Sequence, residues 1–95
     1  IVGPLTIDRR AHRVTLHGEL LALTPKEYEL LEYLAEDPGA ARTRERIIDD
    51  VWDENWFGPT KTLDVHIASL RKKLGDPRWI ETIRGVGFRL SAPDA

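Results

Sequence analysis

Lys61, Arg71, Lys72, Lys73 and Arg84 are cations gathered in one stretch of an otherwise acidic chain. Residues 60–90 hold seven Lys/Arg against three Asp/Glu, while residues 1–59 hold seven against twelve. A local excess of four positive charges in a chain of net charge −2 is chemistry suited to a polyanion. Lys61, Thr62, Val65, His66, Ser69, Lys72 and Lys73 share one side of a helix, all small, hydrogen-bonding or cationic. Arg84 stands in the Gly-flanked segment RGVG, where a long side chain has few packing partners. Asp64 is the acid out of place, and it either favours the positive helix N-terminus or pairs with Arg44 or Arg46.

Other chemistries fare worse. His12, His17 and His66 are the only histidines, and no spacing gathers them with carboxylates, so no metal site is expected. Asp49, Asp50, Asp53 and Glu54 resemble paired catalytic carboxylates in type, but a solvated acidic helix end and loop is the favoured reading. Ser69 and Ser91 have no base nearby in sequence. Gly85-x-Gly87 lacks the third glycine and the following helix of a dinucleotide site. No enzyme activity and no cofactor are expected. Trp52 ends an apolar stripe, so core packing is its default, compatible with an indole N–H turned outward. Trp56 and Phe57, between acids and a Gly-Pro turn, either pack under their loop or form a protein-binding patch.

The elements that must position these groups follow from patterning. Leu63, Ile67, Leu70 and Leu74 recur at helical spacing, which puts a helix over 60–74 with its apolar stripe inward. Gly75 just beyond Leu74 and Pro77 two residues later stop it. WIETI and FRL pair as a hairpin around RGVG. Upstream, Thr24 caps a first helix with Pro25 at its first position and Glu27 completing a capping box. Tyr28, Leu31, Leu34 and Ala35 form its buried stripe, and Pro38-Gly39 ends it. Thr43 caps a second helix whose apolar face is Ile47, Ile48, Val51 and Trp52. Residues 1–23 have no helical period, and the runs Leu5–Ile7, Val14–Leu16 and Leu20–Leu23 read as a small antiparallel sheet of three or four strands.

The fold class is therefore α+β: a short N-terminal antiparallel sheet, three helices and a C-terminal hairpin, a winged helix-turn-helix. Ninety-five residues suit a single domain over 1–95, with an ordered core over about 5–90. Starting at Ile1 with no methionine, the chain reads as a fragment of a longer protein. No apolar run approaches the roughly 18 residues that span a bilayer, and the absence of cysteine fits a reducing compartment, so the expected location is cytoplasmic with no membrane partner. A recognition helix fits the DNA major groove, and an Arg-tipped hairpin can reach phosphates or the minor groove.

The segments LTPKEYELLEYL, TRERIIDDVW, TLDVHIASLRKKLG and ETIRGVGFRL, in this order and spacing, resemble the OmpR/PhoB-type winged-helix effector domain of bacterial two-component response regulators. The resemblance covers Leu5 to Leu90. It implies a sequence-specific transcriptional regulator within a phosphorelay, preceded in the full-length chain by a receiver domain. It places the 60–74 helix in the major groove and Arg84 in the minor groove. Thr43, Arg44 and Trp52 would face phosphates from the second helix, and Thr82 and Phe88 from the wing. Lys61, Thr62, Val65, His66, Ser69 and Arg71 match DNA-touching positions, and the helix register leaves Arg71, Lys72 and Lys73 chiefly to hold backbone. Ala68 and Ser69 stand where several relatives carry long basic side chains, so base choice is expected to lean on Val65 and Ser69. The resemblance also implies that the loop Asp53, Glu54, Asn55, Trp56 and Phe57 contacts RNA polymerase. The expected partner is double-stranded DNA with repeated half-sites, bound as a dimer by a domain that is monomeric alone, through roughly four to six phosphate contacts per domain. The alternative is a winged-helix protein-interaction module contacting RNA polymerase or another protein.

Overall fold

The N-terminal residues alternate as the period-2 pattern requires. In the computed structural model, which describes residues 2–53, 58 and 60–93, they form β1 (Leu5–Asp8), β2 (Arg13–Leu16) and β3 (Glu19–Leu20). The strands pair antiparallel in the order β1-β2-β3, with Leu5 opposite Leu16 and Thr15 opposite Leu20. Leu5 and Val14 point into the core. The third strand is shorter than expected: it ends at Leu20, the Leu21 amide makes a last bond to the Val14 carbonyl at 2.9 Å, and Leu21 and Leu23 pack as partly buried side chains against the core. Leu20 is left exposed.

Helix α1 spans Pro25–Ala35 and starts as the sequence requires. Thr24 Oγ1 accepts from the Glu27 amide at 3.2 Å, and Glu27 Oε1 accepts from the Thr24 amide at 2.8 Å. Two otherwise orphaned donors are thereby satisfied. Leu30 is buried together with Tyr28, Leu31 and Leu34, so α1 is covered on more than one side. His12, from the β1–β2 turn, stacks on the Tyr28 ring with centroids 4.7 Å apart.

Helix α2 (Arg44–Ile47) is short, and the chain then widens into a π-type turn over Ile48–Trp52, closed by the Asp53 amide on the Ile48 carbonyl at 3.0 Å. Ile47, Ile48 and Val51 are buried as expected, and Trp52 is half-buried. Helix α3 spans Lys61–Leu74, and Leu63, Ile67, Leu70 and Leu74 are all buried. Each such side chain contributes about 1.5–3 kcal/mol of gross burial energy, which fixes the rotation of α3 about its axis. Gly75 ends it at φ 81°, a left-handed conformation that side chains with a Cβ avoid. A 3₁₀ turn at Pro77–Trp79 leads into β5 (Ile80–Ile83), which pairs with β6 (Gly87–Leu90), Ile83 opposite Gly87.

One strand was not legible from periodicity. Arg42–Thr43 forms β4 and pairs with β6, giving a second sheet in the order β4-β6-β5. The wing is thus the outer part of a three-stranded sheet joined to the start of α2. Gly87 makes this approach possible, because a Cβ there would lie 1.9 Å from the Arg42 carbonyl oxygen. The Arg44 amide also reaches the Val86 carbonyl at 3.3 Å. No helix of the described residues is long and apolar enough to cross a membrane.

Candidate nucleic-acid interface

With its Leu/Ile stripe inward, α3 presents Lys61, Val65, Ala68 and Lys72 outward, at successive spacings that trace one face of a helix. Val65 is 65% exposed. Asp64 also lies on the outer side, but Arg44 binds both of its carboxylate oxygens, at 2.7 and 3.0 Å, and reaches the Thr60 carbonyl at 3.3 Å. The Arg44 hydrogen bonds hold the Asp64 carboxyl below the usual carboxylate range. The acid that looked out of place is neutralised from α2 and locks the start of α3 against it.

Among the residues expected to face DNA, Ser69 and Lys73 turn toward α1, as Arg71 turns toward the wing and Phe88 into the core. Ser69 donates its hydroxyl hydrogen to Glu27 Oε2, and Lys73 Nζ lies 2.5 Å from Glu27 Oε1. Spaced four apart on α3, they share a flank directed at α1 rather than the outer face. Glu27 is only 3% exposed. Burial alone would push its carboxyl up, but hydrogen bonds from Lys73, Ser69 and the Thr24 amide, with the Lys73 charge, hold it at about 2. Glu27 was legible in sequence only as a capping-box residue. Its second role, joining the first turn of α1 to the last turns of α3, depends on how the helices cross.

Arg71 is turned toward the wing. Its Nε and Nη2 donate to the Ile80 carbonyl at 3.0 and 2.6 Å, and Nη2 also reaches Thr82 Oγ1 at 2.7 Å. The Arg44 and Arg71 guanidiniums each lie 5.9 Å from the Phe88 ring centroid. Phe88 itself is buried, so its ring packs between helices and wing. Arg84 and Val86 are exposed at the hairpin tip, where the Val86 amide closes the turn on the Ile83 carbonyl at 3.0 Å.

Thr43 is exposed and caps α2, its Oγ1 accepting from the Arg46 amide at 3.1 Å. Trp52 meets the His66 ring edge-on at 5.1 Å, and Lys26 Nζ sits 5.6 Å from the Trp52 ring. His66 Nδ1 is 2.8 Å from the Thr62 carbonyl, and both residues are half-buried. Asp53 is exposed, whereas Glu54, Asn55, Trp56 and Phe57 lie outside the described residues. Among the described residues no group of His, Cys, Asp or Glu side chains is arranged to hold a metal ion.

The comparisons agree with this architecture. Residues 18–90 match the family model described as "Transcriptional regulatory protein, C terminal". The chain is 42% identical over 92 residues to the sensory transduction protein RegX3 of Mycolicibacterium smegmatis, covering 93% of this chain and 40% of that protein. It therefore spans well under half the length of that curated relative. Among solved structures, the DNA-binding domain of the response regulator AdeR, in complex with an intercistronic region, superimposes with a TM-score of 0.87. The two chains are 32% identical, with 98% of this one and 99% of that one covered. The Klebsiella pneumoniae RstA DNA-binding domain, in complex with the RstA box, gives a TM-score of 0.86 at 32% identity, with 96% and 94% covered. The chain belongs to the OmpR/PhoB-type winged-helix family, the C-terminal effector domains of two-component response regulators.

Proposed function

We propose that this chain binds double-stranded DNA as the output domain of a transcriptional regulator, with α3 in the major groove and Arg84 of the wing in the minor groove. The observation that carries this reading is the outer face of α3, where Lys61 and Lys72 flank an acid-free stretch once Arg44 has neutralised Asp64. Thr43, Arg44 and Thr82 border that face from α2 and the wing and supply phosphate contacts, as does the Trp52 indole. The similar DNA-binding domains of AdeR and RstA were solved in complex with an intercistronic region and with the RstA box, which supports the same reading. In the full-length protein, a receiver domain ahead of this one would be phosphorylated and dimerise, placing two copies on repeated half-sites about one helical turn apart. The segment from Asp53 to Phe57 would then be offered to RNA polymerase.

The test is a fluorescence-anisotropy titration of this chain against a duplex from its own upstream region. With about four phosphates neutralised per domain, the slope of log K against log salt is expected at about −3 to −4. Arg84→Ala should weaken binding about tenfold and reduce that slope by about one. Salt-independent binding, or an Arg84→Ala protein that binds as the parent does, would sink the proposal.

A further inference from the structure

The side chains of α3 able to hydrogen-bond base edges are largely engaged within the protein. Ser69 gives its hydroxyl hydrogen to Glu27, Asp64 is held by Arg44, and Arg71 donates to the Ile80 carbonyl and Thr82. His66 uses Nδ1 on the Thr62 carbonyl and lies edge-on to Trp52. Thr62 is half-buried, and the fully exposed side chains between Lys61 and Lys72 that carry no such bond are both apolar, Val65 and Ala68. Three residues apart on a helix, they are displaced by about 4.5 Å along its axis on the same face, so together they present one continuous apolar surface.

Resting on the DNA-binding reading above, we infer that α3 selects its site through the C5-methyl groups of thymines, contacted by Val65 and Ala68. The major-groove edge of DNA offers one apolar feature, and that is the thymine methyl. A cytosine in its place presents an N4 amino donor. Covered by a valine isopropyl group, that donor would be desolvated with no acceptor in return. The pair therefore discriminates in two ways: it gains apolar burial over A·T pairs and penalises C·G pairs. Lys61 and Lys72, at the two ends of the stripe, hold the backbone and set the helix depth. Ser69 takes no part in base choice, because moving its hydroxyl to a base would strip a hydrogen bond from the buried Glu27 carboxylate.

The experiment selects duplexes from a randomised library with this chain, then replaces each thymine of the selected site singly with deoxyuridine. That replacement deletes the methyl and leaves every hydrogen-bonding group in place. Loss of one buried methyl is expected to weaken binding about three- to fivefold at one or two positions. In the Val65→Ala protein the penalty at one of those positions should disappear. A selected duplex bound specifically yet indifferent to deoxyuridine everywhere would overturn this inference and leave the DNA-binding reading intact. Penalties unchanged by Val65→Ala would overturn the assignment to Val65. A library that yields no preferred sequence would overturn both the inference and the sequence-specific function it rests on.

Discussion

Glu27→Gln isolates the charge of the one buried acid among the described residues while keeping its shape. The Glu27 carboxyl sits at about 2 instead of 4.5, so its ionised form is favoured in the folded chain. A displacement of that size corresponds to about 3 kcal/mol at neutral pH. The Lys73 side chain is 35% exposed, and water screens part of its attraction, so about 2 kcal/mol is the expected loss in the variant. For a domain of this size, with a urea slope of about 1 kcal/mol per molar, the unfolding midpoint should fall by about 2 M. The pH dependence is the sharper test. A carboxyl whose folded value lies below its unfolded value adds stability above the unfolded value, and that stability is lost as pH falls toward the folded value. The gap between parent and variant should thus be full at neutral pH, start closing near 4.5 and vanish near 2. Urea unfolding followed by the fluorescence of buried Trp79, over a series of pH values, measures it. A gap that stays constant through the acid range, or no gap at neutral pH, would refute the account of Glu27 as a charged tie between α1 and α3.

Two further substitutions probe the wing. Gly87→Ala would set a methyl 1.9 Å from the Arg42 carbonyl oxygen, so β4 and β6 must part. The expected loss is about 3 kcal/mol, read as a fall in thermal midpoint, against which a neutral outcome would deny the close approach. Arg71→Met keeps the aliphatic stem and removes the donors to Ile80 and Thr82. It should cost about 1–2 kcal/mol and speed amide exchange in residues 81–86, while unchanged exchange would mean that the wing holds its place without the clamp.

Most of the fold was legible because local rules decided it. The capping box at Thr24 and Glu27, the Leu63–Leu74 stripe and the glycine stop at Gly75 each rest on contacts within a few residues, so sequence spacing specifies them. Arg42–Thr43 was missed as a strand because two residues carry no periodicity and their partner, β6, lies more than forty positions away. The site divides along the same line. Val65, Lys61 and Lys72 could be placed outward once the buried stripe was known. Ser69 and Lys73 could not be placed on the α1 flank, because helical spacing gives the angle around α3 and says nothing of which neighbour occupies it. Arg71 was legible as a cation and not as a wing clamp, since its acceptors, the Ile80 carbonyl and the Thr82 hydroxyl, carry no charge that composition could mark.

The local excess of four positive charges takes on a sharper meaning in three dimensions. Of the seven cations in residues 60–90, Arg78 pairs with Asp76, Arg89 with Glu81, and Lys73 with Glu27. Asp64, the remaining acid of that stretch, is matched by Arg44 from outside it. Lys61, Arg71, Lys72 and Arg84 are left without a salt bridge among the described residues. Arg71 spends its donors on neutral oxygens, so its charge stays uncompensated although its position is fixed. On the proposed DNA-binding reading, four such charges would meet about four phosphates, the lower end of the four to six expected from the sequence, and hence give a salt slope nearer −3 than −5. In that reading, a weak electrostatic grip from a single domain would make two things matter more: the proposed second copy on an adjacent half-site, and the uncharged contacts that tell one sequence from another. On α3 those contacts are the ones inferred above for Val65 and Ala68, and neither of them can form a side-chain hydrogen bond.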